Sequence, residues 1–191
     1  MFNMKKTVVV SAIVATLVGF GSLAEAATIS LSPGHQDVAP GSAVSVVLGF
    51  DFTGGTSVLG GGVDVFYNSS VLDFVSFTYN PALAIDPDFS RVPDDMSGEV
   101  NGISFGNFGG LSGTGVVGTL QFKALALGET PLTMADNNSP AGPFFDVAAK
   151  QVTMNYQNAH VNVVPIPAAV WLFGSGLAGL GLFRTRRRAR S

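Results

Sequence analysis

Four aspartates in one Pro-rich connection are the residues of this chain with the clearest capacity for chemistry. The segment DPDFSRVPDD contains Asp86, Asp88, Asp94 and Asp95, and carboxylate oxygens are the ligands that Ca²⁺ prefers in proteins. Their spacing does not match the EF-hand loop, and a solvated acidic loop accounts for the same composition. The sequence favours the solvated loop, keeps calcium as the alternative, and indicates no other cofactor.

Nucleophilic catalysis and zinc binding have little support. The chain has no Cys, and its two His residues are His35, in a predicted loop, and His160, in the last predicted strand. With no Cys and no pair of carboxylates near either histidine, neither builds a persuasive triad or zinc site. We expect both to be surface residues and the protein not to be an enzyme.

The N-terminus has the three parts of a secretory signal peptide. Lys5 and Lys6 precede an apolar run from Thr7 to Phe20, and Ala24 and Ala26 are the small residues that a signal peptidase recognises. We expect cleavage after Ala26, which assigns residues 1–26 to the signal peptide. An uncleaved anchor is the alternative, but the apolar run is short for it.

The C-terminus, residues 164–191, combines a Pro-rich motif, an apolar span and a basic end. Residues 168–183 carry no charge; with the preceding motif they reach the ~20 residues that a helix needs to cross a bilayer. Lys/Arg excess marks the cytoplasmic side of a span, so residues 184–191 should be cytoplasmic and the rest of the chain should face the periplasm or the exterior. The basic residues are Arg184, Arg186, Arg187, Arg188 and Arg190.

Between these ends, residues 27–163 are enough for one domain. This domain has three Lys or Arg against twelve Asp or Glu. An acidic surface argues against binding nucleic acid, which requires Lys and Arg to replace counterions. Because there is no Cys, the exported fold must depend on its hydrophobic core rather than on disulfides.

The domain has the periodicity of β-strands. Apolar and polar residues alternate over Val44–Phe52, Val63–Tyr67, Leu120–Ala124 and Val152–Tyr156, separated by Gly-, Pro- and Asn-rich turns. No segment between them has the pattern of an amphipathic helix. The sequence predicts an all-β sandwich or jelly roll.

Two stretches resemble the cohesin domains. GGVDVFYNSSVLDFVSF, residues 61–77, is similar to a cohesin strand, turn and strand, and SGTGVVGTLQFKALALGETPLTM, residues 112–134, to a cohesin Gly-rich turn and long strand. Residues 152–163 lie where a cohesin places its last strand. The resemblance implies a jelly-roll sandwich of about 8–9 strands, related to carbohydrate-binding modules.

Cohesins also hold calcium-binding dockerin modules on one sheet face, and here this chain departs from the family. Positions that such cohesins fill with polar side chains fall on Gly60 and Gly62, which offer no side-chain hydrogen bonds. The run Gly60–Gly62 instead indicates a bulge or bend. We carry over the fold and leave dockerin binding open.

The tail resembles a second family, the PEP-CTERM sorting signals of the Val-Pro-Leu-Pro-Ala subgroup. The residues that carry this resemblance are Val164, Pro165, Ile166 and Pro167, followed by AAVWLFGSGL. It implies recognition by an exosortase, a membrane-embedded cysteine-type transpeptidase, in a Gram-negative-type bacterium that makes exopolysaccharide. A Pro-capped helix start without processing is the alternative.

Three functions follow from these observations. The first is an exported, non-enzymatic surface or matrix protein that makes protein or glycan contacts in an exopolysaccharide or biofilm layer. The second is a carbohydrate-binding module. The third is an envelope hydrolase, which is disfavoured because the sequence offers no constellation of a nucleophile and a base. The rings that could form a sugar platform, although most lie at core positions, are Tyr67, Tyr79, Phe105, Phe108 and Tyr156.

Overall fold

A computed structural model describes residues 27–55, 57–91, 93–139 and 141–165. Within these ranges the chain is an all-β sandwich, as the alternation predicts. No helix in the described part is long and apolar enough to cross a membrane. The predicted signal peptide, transmembrane helix and basic end lie outside the described residues.

Twelve strands run through the described ranges. Nine of them have four residues or more, in agreement with the predicted number, and three have two or three residues. The strands are β1 (Thr28–Ser32), β2 (His35–Val38), β3 (Ala43–Phe52), β4 (Val58–Phe66), β5 (Leu72–Tyr79), β6 (Asp94–Asp95), β7 (Glu99–Leu111), β8 (Gly113–Ala124), β9 (Gly128–Asp136), β10 (Phe145–Asp146), β11 (Asn155–Gln157) and β12 (Ala159–Val163).

The strands form two sheets that pack face to face. The five-stranded sheet has the order β11-β1-β3-β8-β5. The seven-stranded sheet has the order β2-β12-β9-β4-β7-β6, and β10 pairs with the first residues of β4 beyond the point where β9 ends. Most neighbours are antiparallel, but β1 with β11 and β2 with β12 are parallel pairs.

The longest ladder follows directly from the sequence pattern. Along β3, buried residues alternate with more exposed ones from Ala43 to Phe52, and every residue of this strand pairs with β8. Because successive side chains of a strand point to opposite faces, this alternation fixes which face of the sheet meets the core.

The last predicted strand is divided in the structure. The alternation over Val152–Tyr156 predicted one strand, but pairing begins only at Asn155. β11 joins the five-stranded sheet, and after Asn158 the chain enters the seven-stranded sheet as β12. The Asn158 Oδ1 accepts a hydrogen bond from the Met134 N–H at 3.0 Å, which holds the crossing point against β9. Periodicity cannot show such a change of sheet, because it reports burial and not the strand partner.

Aromatic rings fill the core between the sheets. Phe52, Phe105, Phe122 and Phe144 are almost fully buried, and each such side chain contributes about 1.5–3 kcal/mol of burial free energy. Phe105 and Phe144 pack with ring centroids 5.3 Å apart. Room for Phe144 exists because Gly61 faces it: a Cβ at that position would lie 2.7 Å from the Phe144 Cα.

The sandwich has two distinct ends. We call the end where the described chain finishes the exit end. There β12 ends at Val163, which pairs with Gly128, and the turn from β8 to β9 lies beside it. At the far end, Thr28 pairs with both Asn155 and Asp51, so the chain enters the domain there. The domain thus begins at one end and leaves at the other.

Candidate functional site

The four candidate calcium ligands do not converge. Asp86 accepts a hydrogen bond from the Phe108 N–H at 2.6 Å, while Asp94 pairs with Arg91 at 3.1 Å. Asp95 accepts the Tyr67 hydroxyl proton at 3.2 Å, and Asp88 is exposed. Asp94 and Asp95 belong to β6 and not to a loop, because β6 pairs with β7. No three acidic or histidine side chains within the described ranges are placed to hold a metal ion.

The two histidines are neighbours, which the sequence did not indicate. His35 was predicted in a loop, but it begins β2 and pairs in register with His160 because β2 adds to the edge of β12. His35 lies 3.3 Å from Asp37, and His160 lies 3.4 Å from Glu129. All four side chains are more than half exposed, so the expectation of surface histidines is confirmed.

The processing residues fall mostly outside the described ranges. Val164 is half-buried and its N–H donates to the Val38 carbonyl at 2.9 Å, and Pro165 is exposed. Ile166, Pro167 and the five arginines of the basic end lie outside the described residues, as do Ala24 and Ala26.

A buried carboxylate on β4 is a feature that periodicity missed. Asp64 is 6% exposed, and its Oδ1 accepts hydrogen bonds from the Gly102 N–H and the Asn137 amide, each at 2.8 Å. Asn137 in turn accepts the Ala141 N–H at 2.8 Å. Because each group has a partner, this network fixes the connection after β9 over the outer face of the seven-stranded sheet.

Four of the five rings considered as a sugar platform are turned inward. Phe105 and Tyr67 belong to the core, and Tyr79 and Tyr156 are half-buried. Burial raises the pKa of each of the three tyrosines, and for Tyr156 the neighbouring Asp136 carboxylate raises it further. The Tyr156 hydroxyl therefore stays protonated and donates to Asp136 at 2.5 Å. Only Phe108 is exposed.

A flat floor made of two glycines lies beside Phe108. Gly60 of β4 pairs with Gly106 of β7, and both face outward from the seven-stranded sheet. A Cβ on Gly60 would come within 2.7 Å of the Gly106 Cα and 2.9 Å of the Phe89 ring. The glycines thus permit the Phe89 ring to lie directly on the sheet backbone. The sequence associated this glycine run with a bend, and the register of β4 does shift between Val58 and Gly60.

Hydrogen bonds fasten the Phe89 segment to β7. The Asp86 N–H donates to the Gly106 carbonyl at 3.0 Å, and the Ser104 hydroxyl donates to the Phe89 carbonyl at 2.7 Å. The Tyr79 hydroxyl lies 2.7 Å from the Ser104 carbonyl oxygen and 2.5 Å from that of Arg91. Phe89 is therefore held in place by both sheets.

Phe89 is one member of an exposed aromatic patch at the far end of the sheet, which consists of Phe89, Phe108, Phe145 and Val147. Phe108 is 64% exposed, and its ring centroid lies 5.0 Å from that of Phe89. Phe145 pairs in register with Gly60, so it shares the outer face. Val147 lies against Ser57 and Gly110.

The patch is apolar at its centre and acidic at one side. Asp88 directly precedes Phe89 and Asp86 lies three residues before it. Asp146 is buried and holds the β10 turn by accepting the Ala148 and Lys150 N–H groups. Exposed apolar groups gathered on one face mark contact sites more often than scattered ones do. The sequence signal for this patch was faint: Phe89 lies in a connection rich in Asp and Pro, and Phe108 stands between Asn107 and Gly109.

Comparison with known proteins supports the fold. No protein-family model matches the chain, and no curated protein matches it. Solved cohesin structures do match. The sixth cohesin of scaffoldin B from Acetivibrio cellulolyticus, solved in complex with a Cel5 dockerin, is 18% identical, with a TM-score of 0.58 over 73% of this chain and 99% of that one.

Two further cohesins agree. One belongs to a type I cohesin–dockerin complex from Clostridium thermocellum, 13% identical, with a TM-score of 0.59 over 73% of this chain and 99% of that one. The other is a non-cellulosomal cohesin from the archaeon Archaeoglobus fulgidus, 15% identical, with a TM-score of 0.55 over 75% and 95%. At these identities the likeness shows the fold, so the domain is a cohesin-like sandwich.

Proposed function

We propose that this chain is an exported, non-enzymatic surface protein whose cohesin-like domain binds a protein partner through the aromatic patch. The observation that carries the proposal is the exposed Phe108 ring, which packs on Phe89 above the floor of Gly60 and Gly106. Rigid aromatic anchors of this kind supply most of the binding energy at protein interfaces. The solved cohesins in complex with dockerins make a protein partner plausible for the fold.

The surface proposed for the partner is apolar and is built from connections that cover the sheet, whereas dockerin-binding cohesins carry polar side chains on the strand that corresponds to β4. In this chain Phe89 lies over Gly60, and Ala141 lies over Gly62, where a Cβ would come within 2.4 Å of the Ala141 Cβ. The outer face of β4 is therefore covered by the chain's own connections at the two positions where dockerin-binding cohesins carry polar side chains. The apolar patch with its acidic side fits a partner that presents an apolar projection flanked by Lys or Arg.

Substitution of Phe108 by aspartate tests the proposed surface. We expect Phe108→Asp to abolish cross-linking of the exported protein to its partner on intact cells, because an uncompensated charge would replace the most exposed ring. The matched control is Val75→Asp: Val75 is 61% exposed on β5 of the other sheet. Unchanged cross-linking in Phe108→Asp, or an equal loss in both variants, would contradict the proposal.

A carbohydrate ligand is the second candidate, because one exposed ring can stack on a sugar. Enzymatic digestion of the cross-linked material distinguishes a protein partner from a carbohydrate ligand. Removal by protease identifies a protein partner, and removal by glycosidases identifies a polysaccharide of the surrounding layer. Binding of the purified chain to extracted exopolysaccharide that is lost in Phe108→Asp would favour the carbohydrate-binding function.

We further propose that the tail is a PEP-CTERM-type signal, held in the inner membrane and cut by an exosortase after export by the general secretory route. The motif Val164–Pro167, the uncharged run and the five arginines support this. We expect the intact mass of the mature protein to lack both residues 1–26 and the basic end in the native host. In a strain without the exosortase the basic end should remain. A mature protein that keeps its five arginines in both strains would contradict processing.

A further inference from the structure

The exit end of the sandwich carries exposed apolar side chains in the turns between its strands. In the turn from β8 to β9, Leu125 and Leu127 are 47% and 56% exposed, and Ala126 between them is exposed too. Met96, also exposed, belongs to the turn before β7. We call Leu125, Leu127 and Met96 the leucine end.

Backbone contacts place these residues together at the end where the chain leaves the domain. The Leu125 N–H donates to the Val71 carbonyl, and Gly128, directly after Leu127, pairs with Val163. On the other side, the Tyr67 N–H donates to Gly98 in the turn that contains Met96. The leucine end therefore lies at the same end of the sandwich as the last residue of β12.

The length of chain beyond this point limits what can lie against the leucine end. The backbone of Val164 is held by Val38, and only three residues separate it from Ala168, where the uncharged run begins. The four extended steps from Val164 to Ala168 span at most about 14 Å. Before processing, any membrane that takes up the run must therefore lie close beneath the leucine end.

We propose that, while the tail is uncut, the leucine end rests in the interfacial region of the bilayer. This inference depends on the membrane tether proposed above. Two half-exposed leucines offer too little apolar area to bind lipid strongly on their own. With the tail in the same membrane the contact becomes intramolecular, and a weak contact is then enough to orient the domain.

The flanking charges define the lipid that suits this surface. Lys123 and Glu129 border the turn, and the domain as a whole is acidic. A net acidic surface is repelled by anionic headgroups, and a polybasic segment would be needed to attract them. The contact is thus an apolar one with a neutral, zwitterionic interface, and it leaves the aromatic patch at the opposite end, facing away from the membrane.

The absence of Cys from the chain permits a direct test. Residues 27–191, the exported form with its tail uncut, are reconstituted in phosphatidylcholine vesicles and spin-labelled at one of three single cysteines: Leu127→Cys, Val147→Cys or Ala178→Cys. Val147 is 52% exposed and lies at the far end, so it is the matched control. Collision rates with oxygen, which concentrates in lipid, and with a water-soluble nickel complex report the depth of each label.

We expect the label at position 127 to show several-fold more oxygen collision relative to nickel than the label at position 147. The label at position 178 reports the tether separately. If position 178 is in lipid but position 127 is as aqueous as position 147, the membrane contact is wrong while the tether stands. If position 178 is itself aqueous, both the tether and the contact are overturned.

Discussion

Replacement of Asp64 by leucine is expected to cost the domain about 3–4 kcal/mol of unfolding free energy. Leucine is larger than aspartate and accepts no hydrogen bond, so the Gly102 N–H and the Asn137 amide would lose their shared acceptor. Each buried donor left without a partner costs about 1–3 kcal/mol. Urea unfolding of the full chain in mild detergent, followed by circular dichroism, measures the loss.

Asp64→Asn is the matched variant. Its side-chain oxygen can still accept from both donors, so we expect a cost of about 1 kcal/mol or less. If the leucine and asparagine variants unfold at the same urea concentration, the network does not stabilise the outer face as we infer.

The second large effect is expected at Gly61, where alanine should lower the unfolding free energy by about 2 kcal/mol or more. The added Cβ would lie 2.7 Å from the Cα and 2.8 Å from the backbone N of Phe144. These are backbone atoms next to β10, so they cannot move aside as a flexible side chain would. Overpacking of this kind costs about 1–3 kcal/mol of stability and occasionally more. Replacing a strand glycine by alanine stabilises the fold by only about 0.5–1 kcal/mol, so the net effect is destabilising.

Gly34→Ala provides the control for this prediction. Gly34 lies in the turn between β1 and β2, and a Cβ there would have no heavy atom within 4 Å. We expect its unfolding free energy to change by less than about 0.5 kcal/mol. Equal stability of the Gly61 and Gly34 variants would show that the contact with Phe144 relaxes without cost.

The sandwich was predictable because its core strands repeat a simple pattern. Along β3 and along Leu120–Ala124 of β8 the alternation of apolar and polar residues is nearly unbroken, and a period of two has one structural meaning. β2 was not predictable: His35–Val38 is polar and short, and it is a strand only because the edge of β12, more than a hundred residues later, accepts it.

The aromatic patch was beyond sequence reasoning for a related reason. Phe89, Phe108 and Phe145 are far apart in the sequence, and nothing local distinguishes an exposed phenylalanine from one in the core. Among the rings considered for a platform, the core position of Tyr67 followed from the alternation over Val63–Tyr67. The exposure of Phe108 depends on the irregular register of β7 opposite β4, where four residues of β7 (107–110) lie opposite the single β4 residue Leu59.

Asp64 illustrates a third limit of prediction from the sequence. The residue stands between Val63 and Val65 as an ordinary outward polar residue of an alternating strand. Its burial arises because the connection after β9 folds back over β4, and the partner amide of Asn137 is more than seventy residues away. A local pattern predicts which side of a strand a residue takes, but not what later covers that side.

The placement of β12 also determines how the domain responds to force. If a partner pulls on the aromatic patch while the tail is anchored, the load runs along β12, which is bonded to β9 on one side and β2 on the other. Hydrogen bonds between strands are directed across the strands rather than along them. The load would therefore shear many bonds at once instead of unzipping them singly, so the domain should resist tension best in the direction in which a surface tether applies it.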